Sequence, residues 1–161
     1  MVTLIPLTAA AFPDFLESAV TMYASQNVAA GRWLPEDAEA TARKETEAML
    51  SQGAATPGHF LYSIAADEGA EAVGHLWYTS MQRGASKVAY IVQIVIKPDF
   101  QRKGYGRVAL REAERLAALD GHSMIALNVF AQNTGARALY DSLGYAVMNT
   151  NMAKPLPRSD A

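Results

Sequence analysis

The sequence contains no cysteine among its 161 residues, and that absence excludes several kinds of site at once. Disulfide bonds, thiolate metal ligands and a cysteine nucleophile all require the missing side chain. Long apolar runs are missing as well, because no stretch approaches the roughly 18 residues that suggest a membrane-spanning helix. The sequence therefore predicts a protein without membrane segments, and the lack of disulfides suits a cytoplasmic location.

A strong net charge is also absent, since 14 basic and 16 acidic residues leave a formal charge of −2. Such a balance gives no general attraction to nucleic acid or to anionic membranes, so neither is an expected partner. His59, His75 and His122 lack the spacing of a metal-binding motif, and no metal site is predicted. No basic residue precedes Arg32, which favours a first strand over a signal sequence at the N-terminus.

The spacing of apolar residues predicts an alternation of helices and strands along the whole chain. Helices are expected over residues 12–31, 35–50, about 104–120 and 133–143, with Asn133 as the cap of the last one. Strands are expected over residues 2–7, 60–66, 73–79, 88–96 and 124–129. The segment 145–152 is expected to form a last strand or two, and residues 67–72 a polar turn.

The run "VAYIVQIVI", residues 88–96, is apolar at nearly every position and contains a single polar side chain, Gln93. This pattern predicts a strand buried on both faces, in the middle of a sheet that has helices on either side. The order of elements then predicts an α/β (or α+β) fold with a mostly antiparallel sheet. We expect one domain over residues 1–155 and a flexible tail over residues 156–161.

After that strand, a loop with two positive charges and two glycines opens the third helix. Residues 101–115 contain five basic and two acidic side chains in a chain that is acidic overall. Free N–H groups at a helix start, next to cations and to glycines that admit a close ligand, favour an anion such as phosphate. An ordinary solvated helix start with a glycine turn is the alternative interpretation.

Two nucleotide-binding motifs are alternatives for this loop. A Walker loop requires Gly-Lys-Ser/Thr, which is absent. The run from Gly104 to Ala109 does match the G-x-G-x-x-A dinucleotide fingerprint, but residues 97–103 separate it from the strand. The next strand also leads to Asn128, where an acid is expected to hold a ribose. A dinucleotide-binding domain therefore stays a minor alternative.

The segment "IVIKPDFQRKGYGRVAL" resembles the Q/R-x-x-G-x-G/A signature of the GNAT N-acetyltransferase superfamily. Downstream, "NTGARALYDSLGY" is similar to the second signature of that family, an Asn followed by a helix with A-x-x-L-Y-x-x-x-G-F/Y. The motifs lie about thirty residues apart and within residues 90–145, while the order of elements agrees over nearly the whole chain. The resemblance implies a mixed, mostly antiparallel sheet, flanked by helices on both faces and splayed between the fourth and fifth strands.

The resemblance also implies acetyl-coenzyme A as cosubstrate, with its diphosphate on the N–H groups of residues 102–107. The pantetheine arm would pair with the central strand as an added strand does, and the N–H near Ile94 would bind the thioester carbonyl. No metal is implied. The implied coenzyme-binding residues are Ile94, Val95, Ile96, Gln101, Arg102, Lys103, Gly104, Tyr105, Gly106, Arg107, Asn133 and Tyr140.

The implied reaction is transfer of an acetyl group to a primary amine by direct attack on the thioester. Tyr140 matches the family tyrosine near the sulfur and is the expected general acid, its alternative being a packed helix aromatic. Because an unperturbed phenol is less acidic than a thiol, hydrogen bonding or a lowered pKa has to assist the transfer. Many relatives carry an acid where this chain has Gln93 or Asn128, so no base is assigned.

Five side chains are candidates for binding the acceptor, which is expected to be a small amine or a peptide or protein amine. Each has a plain structural alternative: a core tryptophan, a helix-start acid, a hydrogen-bonded histidine, and a polar pair of amides between strands. A non-catalytic acyl-coenzyme A binding module is the alternative function, and a homodimer is a family-level expectation. The candidates are Trp33, Glu36, His75, Gln93 and Asn128.

Overall fold

A computed structural model describes residues 2–66 and 71–157. The chain forms two compact units, residues 1–130 and residues 131–161. Within those described ranges the first unit contains five strands and three helices, and the second contains one helix. No helix there is long and apolar enough to cross a membrane. The single domain over residues 1–155 stays a prediction, and residues 158–161 of the expected tail lie outside the described part.

Most elements lie close to their predicted positions. The strands are β1 (Val2–Pro6), β2 (His59–Ala66), β3 (Ala72–Arg83), β4 (Ser86–Ile96) and β5 (Met124–Leu127). The helices are α1 (Phe12–Ala29), α2 (Pro35–Met49), α3 (Tyr105–Leu119) and α4 (Thr134–Ser142), with short 3-10 turns at Gly53–Ala55 and Pro98–Phe100. The largest differences are β3, which extends four residues further than expected, and β5, which ends two residues early.

The strands form one sheet in the order β1-β2-β3-β4-β5. Neighbours are antiparallel from β1 to β4, and β5 runs parallel to β4. The parallel ladder has only four residue pairs, from Val88–Met124 to Ile91–Leu127. From Val92 onward β4 has no strand beside it on that side in the described residues. The predicted mixed, mostly antiparallel sheet with a splay between its fourth and fifth strands is confirmed.

A bulge in β4 lies at the point where the two strands part. Trp77 of β3 is opposite Gln93 and Tyr78 is opposite Ile91, so Val92 is an extra residue in β4. A bulge bends its strand and increases the local twist. The ladder between β4 and β5 ends at Ile91, directly beside this bulge. The bulge therefore explains why β4 turns away from β5 there.

Helices cover both faces of the sheet within the first unit. On one face α1 contributes to a buried cluster of Phe15, Ala19, Leu50, Leu61 and Trp77. Along their strands Phe60 and Tyr78 alternate with Leu61 and Trp77 and therefore point to the other face. There His122, three residues after α3, has its ring centroid 6.2 Å from Phe60 and 6.0 Å from Tyr78. The prediction of helices on either side is confirmed for α1 and α3.

In the second unit the predicted helix cap is confirmed, and the predicted final strand is wrong. The Asn133 side chain accepts a hydrogen bond from the N–H of Ala136 at 3.2 Å, as an N-cap does. Residues 145–152 form no strand in the described part of the chain, and Met152 is 93% exposed. Apolar side chains favour a strand only where a neighbouring edge pairs with its backbone, and this segment has none there.

Gly74 of β3 allows the close approach of β3 to the outer part of β4. A Cβ atom at this position collides with the backbone carbonyl of Val95, which cannot move without breaking the β3–β4 ladder. We therefore expect Gly74→Ala to lower the free energy of unfolding by about 1–3 kcal/mol, the usual cost of overpacking. Urea unfolding measures the change.

Gly135→Ala is the matched control, because a Cβ atom at Gly135 of α4 meets no atom within 4 Å. Alanine is the better helix former, so this variant should be at least as stable as the parent. Equal stability of parent and Gly74→Ala would contradict the steric argument.

Candidate functional site

The outer half of β4 presents an open strand edge. The N–H of Lys97 donates to the carbonyl of Val73 at 2.8 Å, so residues 97, 95 and 93 direct their backbone groups toward β3. The groups of Ile94 and Ile96 then point the other way, to the side that β5 has left. On that side no strand pairs with β4 beyond Ile91 in the described residues, so the N–H groups of Ile94 and Ile96 face an unpaired edge. This edge can pair with an extended ligand.

The burial of β4 follows the same division. Val88, Ala89 and Ile91 are buried where β5 lies alongside, whereas Ile94, Val95 and Ile96 are only partly buried. The sequence predicted a strand buried throughout, and that prediction is wrong for its last three residues as well as for Tyr90 and Val92. The last three apolar side chains lie next to an edge without a covering strand, which is a surface that an apolar chain can occupy.

The loop after β4 is fastened to the end of this edge by its own side chains. The amide of Gln101 donates to the carbonyl of Ile96 at 3.0 Å. The ammonium group of Lys103 donates to the carbonyl of Asp99 at 2.9 Å and lies 5.4 Å from the centroid of the Phe100 ring. Gln101 and Lys103 therefore shape the loop, in addition to the coenzyme contacts predicted for them.

The backbone of the loop has an unusual conformation at two positions. Arg102 has φ of 61°, and in the described residues it is the one non-glycine residue with positive φ; Gly104 follows at 84°. Holding a non-glycine residue there costs on the order of 1 kcal/mol. Alternation of left-handed and right-handed residues makes successive N–H groups converge, which is the geometry of an anion-binding nest.

These converging donors are available to a ligand. In the described part of the chain the N–H groups of residues 102–106 have no hydrogen-bond acceptor. They lead into the first turn of α3, whose partial positive charge also favours an anion. A Cβ atom at Gly104 would meet no atom within 4 Å, so space is open above the loop. The residues present fit the diphosphate of a coenzyme, and its binding at this loop stays a prediction.

The local positive charge is smaller than the count of basic residues suggested. Arg115 forms two hydrogen bonds to the carboxylate of Glu112, at 2.9 and 2.7 Å, and that charge is neutralised away from the loop. The Arg115 guanidinium also holds the pKa of Glu112 below its usual range. Of the other four cations, Arg102 and Lys103 lie in the loop itself, and Arg107 and Arg111 lie on α3.

His75 and Gln93 form a buried polar chain under α1. Both residues are 7% exposed. The amide nitrogen of Gln93 donates to the carbonyl of Ala19 at 3.0 Å, which leaves its oxygen 2.9 Å from Nε2 of His75. Nε2 must therefore carry a hydrogen, so the lone pair of the neutral imidazole lies on Nδ1. This geometry favours the structural interpretation of both residues, and their substrate-binding role stays a prediction.

The other acceptor candidates have separate surroundings. Asn128 is exposed and does not pair with Gln93, so the predicted polar pair of amides between strands is wrong; His75 has that place. Trp33 is partly buried, edge-on to Tyr23 with centroids 4.9 Å apart. Glu36 is exposed in the first turn of α2, where an acid complements the helix dipole. Their binding roles stay predictions.

In the second unit, Asn133 caps α4 and Tyr140 lies on the same helix. The ring of Tyr140 is 5.6 Å from that of Tyr145, and burial raises the pKa of the Tyr140 hydroxyl. The hydroxyl therefore stays protonated at neutral pH, as a proton donor must. The direction is opposite to the lowered pKa that the sequence analysis offered as one way to assist proton transfer, which leaves hydrogen bonding as the remaining way.

One residue near the site was missed by the sequence analysis. The guanidinium carbon of Arg32 lies 5.0 Å from the centroid of the Phe130 ring. Arg32 belongs to the segment "GRWLPED", which also contains the acceptor candidates Trp33 and Glu36. The sequence does contain a signal for this residue, because a cation directly precedes the candidate tryptophan, Trp33. In the described residues no group of three or more His, Asp or Glu side chains could hold a metal ion.

Several known proteins that this chain resembles are acetyltransferases. The family model described as "Acetyltransferase (GNAT) family" matches residues 21–145. The uncharacterized N-acetyltransferases YycN and YdgE of Bacillus subtilis are each 32% identical to this chain over 96% of its length, covering 99% and 98% of their own lengths. The crystal structure of YycN superposes with a TM-score of 0.91, at 31% identity over 98% of this chain and all of the other.

A shorter similarity is 40% identical over 57 residues, covering 35% of this chain and 38% of the relative. That relative is the [ribosomal protein bS18]-alanine N-acetyltransferase of Salmonella typhimurium. The agreement therefore extends over the full length for the two Bacillus proteins and over about a third for the third.

The buried histidine makes stability depend on pH. Burial lowers the pKa of His75 from 6.5, and the weaker opposing effect of Gln93 does not offset it. The unfolded state therefore binds more protons than the folded state below pH 6.5, and stability is lost as pH falls through the lowered pKa. We expect urea unfolding to show a lower free energy of unfolding at pH 5 than at pH 8.

His75→Gln keeps a donor for Gln93 but does not titrate, so it should reduce this pH dependence. Burial also lowers the pKa of the less buried His59, so His59→Gln should reduce it by a smaller amount. An unchanged pH dependence in His75→Gln would show that this imidazole is not the responsible group.

Proposed function

Because the chain belongs to the GNAT acetyltransferase family, we propose that it transfers the acetyl group of acetyl-coenzyme A to a primary amine. Its relatives YycN and YdgE support N-acetyl transfer as the class of reaction. The coenzyme would supply the acetyl group as a thioester. The chain itself has to bind that coenzyme, orient the thioester, and manage two protons, one on the amine and one on the leaving thiol.

The observation that carries the proposal is the continuity of free backbone donors from β4 into α3. Ile94 and Ile96 present groups at the open strand edge, and the N–H groups of residues 102–106 follow directly beyond it. A ligand with an extended amide-containing arm and a diphosphate at its end uses both parts. Pantetheine and the coenzyme A diphosphate have this combination of groups.

The N–H of Ile94 is the donor best suited to the thioester carbonyl oxygen. A fixed backbone donor of this kind contributes on the order of 3 kcal/mol when it meets developing negative charge. Tyr140, by its resemblance to the family tyrosine, would donate a proton to the thiol as the carbon–sulfur bond breaks. Nδ1 of His75 carries a lone pair that accepts no hydrogen bond from the described residues. We assign no base.

The acceptor is proposed only as an amine. The third relative acts on an alanine of a ribosomal protein, which is compatible with a peptide acceptor, but the similarity covers 35% of this chain. Small-molecule amines are equally compatible with the site. A dinucleotide cofactor is not, because the doubly wound parallel sheet that such a domain requires is replaced here by a mostly antiparallel one.

A non-catalytic acyl-coenzyme A binding module is the second candidate function. The observation in its favour is that the amide of Gln93, which stands where many relatives have an acid, is fully engaged with His75 and Ala19. Release of free thiol with a panel of amines distinguishes the two functions. Coenzyme binding without amine-dependent thiol release would support the binding module.

Gly104 and Gly121 give a matched pair for testing the coenzyme site. Both flank α3, both have φ near +80°, and a Cβ atom meets nothing within 4 Å at either position. Alanine therefore strains the backbone alike at both ends of the helix. We expect Gly104→Ala to weaken coenzyme A binding about tenfold in calorimetric titration, since it disturbs the converging N–H groups and fills the space above them.

Gly121→Ala should bind coenzyme A as the parent does, because it changes the far end of the helix. Equal affinities of both variants and the parent would contradict the location of the diphosphate. A similar weakening in both would indicate a general loss of structure.

The role of Tyr140 is tested by removing its hydroxyl. We expect Tyr140→Phe to slow amine-dependent thiol release at least about tenfold, the low end for loss of a general acid. Coenzyme affinity should hold, because the ring is kept. Tyr145→Phe is the control on the neighbouring ring, and unchanged turnover in Tyr140→Phe would remove the proposed role.

A further inference from the structure

The loop between α1 and α2 brings one arginine to the place where β4 and β5 separate. Arg32 lies with its guanidinium carbon 5.0 Å from the centroid of the Phe130 ring. Phe130 follows the last residue paired with β4, Leu127, by three positions. Three residues span at most about 10 Å, so this arginine stands close to the start of the open edge.

The backbone around Arg32 is held in place. The N–H groups of Arg32 and Trp33 both donate to the carbonyl of Asn27, at 2.9 and 3.4 Å. Asn27 is buried and its own amide donates to the carbonyl of Tyr23 at 2.9 Å. Gly31, at φ of 69°, makes the turn that ends the helix, and Trp33 packs edge-on against Tyr23. The arginine is thus presented from a fixed loop.

The guanidinium has no carboxylate partner of its own. In residues 2–66 and 71–157, Arg43, Arg115 and Arg137 each form an ion pair, whereas Arg32 forms none. The nearby hydroxyl of Tyr23 donates to Glu45 at 2.6 Å, so that carboxylate already has a donor. Burial and Glu45 raise the pKa of Tyr23 to about 12 despite the opposing charge of Arg32. Tyr23 therefore stays neutral and does not neutralise the arginine.

Contact with the face of an aromatic ring leaves the edge of a guanidinium available. Such a contact is favourable for the cation and restricts its orientation. The N–H groups lie in the guanidinium plane and form a fork that matches the two oxygens of a carboxylate. A fixed, exposed guanidinium without a counter-ion is suited to an anionic ligand group.

We propose that Arg32 binds a carboxylate of the acceptor, so that the preferred acceptors are small amines that also carry a carboxylate, as amino acids do. This inference rests on the proposed function. It makes Arg32 a specificity-determining residue that contacts the acceptor away from the reacting nitrogen, and it assigns Phe130 the role of positioning the guanidinium.

Paired acceptors that differ only in charge test the proposal. Glycine with glycinamide, β-alanine with β-alaninamide, and 4-aminobutyrate with 4-aminobutanamide are compared by acetyl-coenzyme A-dependent thiol release. With kcat/KM expressed per concentration of neutral amine, the parent should prefer at least one carboxylate over its amide. Arg32→Gln should lower kcat/KM for that carboxylate about tenfold, mainly through KM, and change the matched amide less than threefold. Arg32→Lys should retain part of the preference, because it keeps the charge but loses the fork.

Arg83→Gln, at the far end of β3, removes an equal charge and should leave both acceptors unaffected. Equal losses with the carboxylate and the amide in Arg32→Gln, or no preference for a carboxylate in the parent, would overturn the inference while leaving acetyl transfer intact.

A binding measurement separates this inference from the proposed function. Saturation-transfer NMR follows the same acceptor pairs on the parent and on Arg32→Gln in the presence of coenzyme A. Carboxylate binding that depends on Arg32 without any thiol release would support the anion site and contradict acetyl transfer. Absence of Arg32-dependent binding would overturn the inference whether or not transfer occurs.

Discussion

One extra residue in the central strand creates the open strand edge on which the proposed coenzyme site depends. Val92 has no partner of its own in β3, and the parallel ladder with β5 ends at its neighbour Ile91. A regular β4 would stay paired with β5 and would use its backbone groups internally. Because the bulge turns the strand away, Ile94 keeps its donor and acceptor, and Ile96 keeps its donor, for another chain-like molecule. The fold thus keeps an unsatisfied strand edge next to its own core.

The loop that follows converts this edge into a longer site. Gln101 closes the end of the edge by donating to the carbonyl of Ile96, and the loop then passes through two left-handed residues, Arg102 and Gly104. Backbone dipoles that are fixed in this way need no rearrangement when an anion binds. The cations beside the loop are fewer than the sequence suggested, since Arg115 is already paired with Glu112. We infer that geometry contributes more than net charge to the selectivity of this loop.

Strong local signals made much of the fold predictable from the sequence. The apolar run of β4, the helical spacing in α3 and the Asn133 cap each carry their own physical cause, and each lies where it was expected. Features that depend on partners were missed. The segment 145–152 has a strand-like composition but no pairing edge in the described residues, and β5 ends early because β4 turns away from it.

Candidate site residues divide in the same manner. The glycine loop was found because glycine and cations at a helix start have a direct chemical meaning. The pairing of His75 with Gln93 joins residues 18 positions apart, and the contact of Arg32 with Phe130 joins residues almost a hundred positions apart. Such contacts depend on the register of β3 with β4 and on the position of the α1–α2 loop, which no single stretch of sequence encodes.

Amide NMR during titration with coenzyme A tests the central claim most directly, because it reports on each backbone N–H separately. Our account predicts the largest chemical-shift changes at residues 102–106, together with Ile94 and Ile96, and small changes on β1 and β2. Changes that avoid both the loop and the outer half of β4, with saturable binding elsewhere, would contradict it.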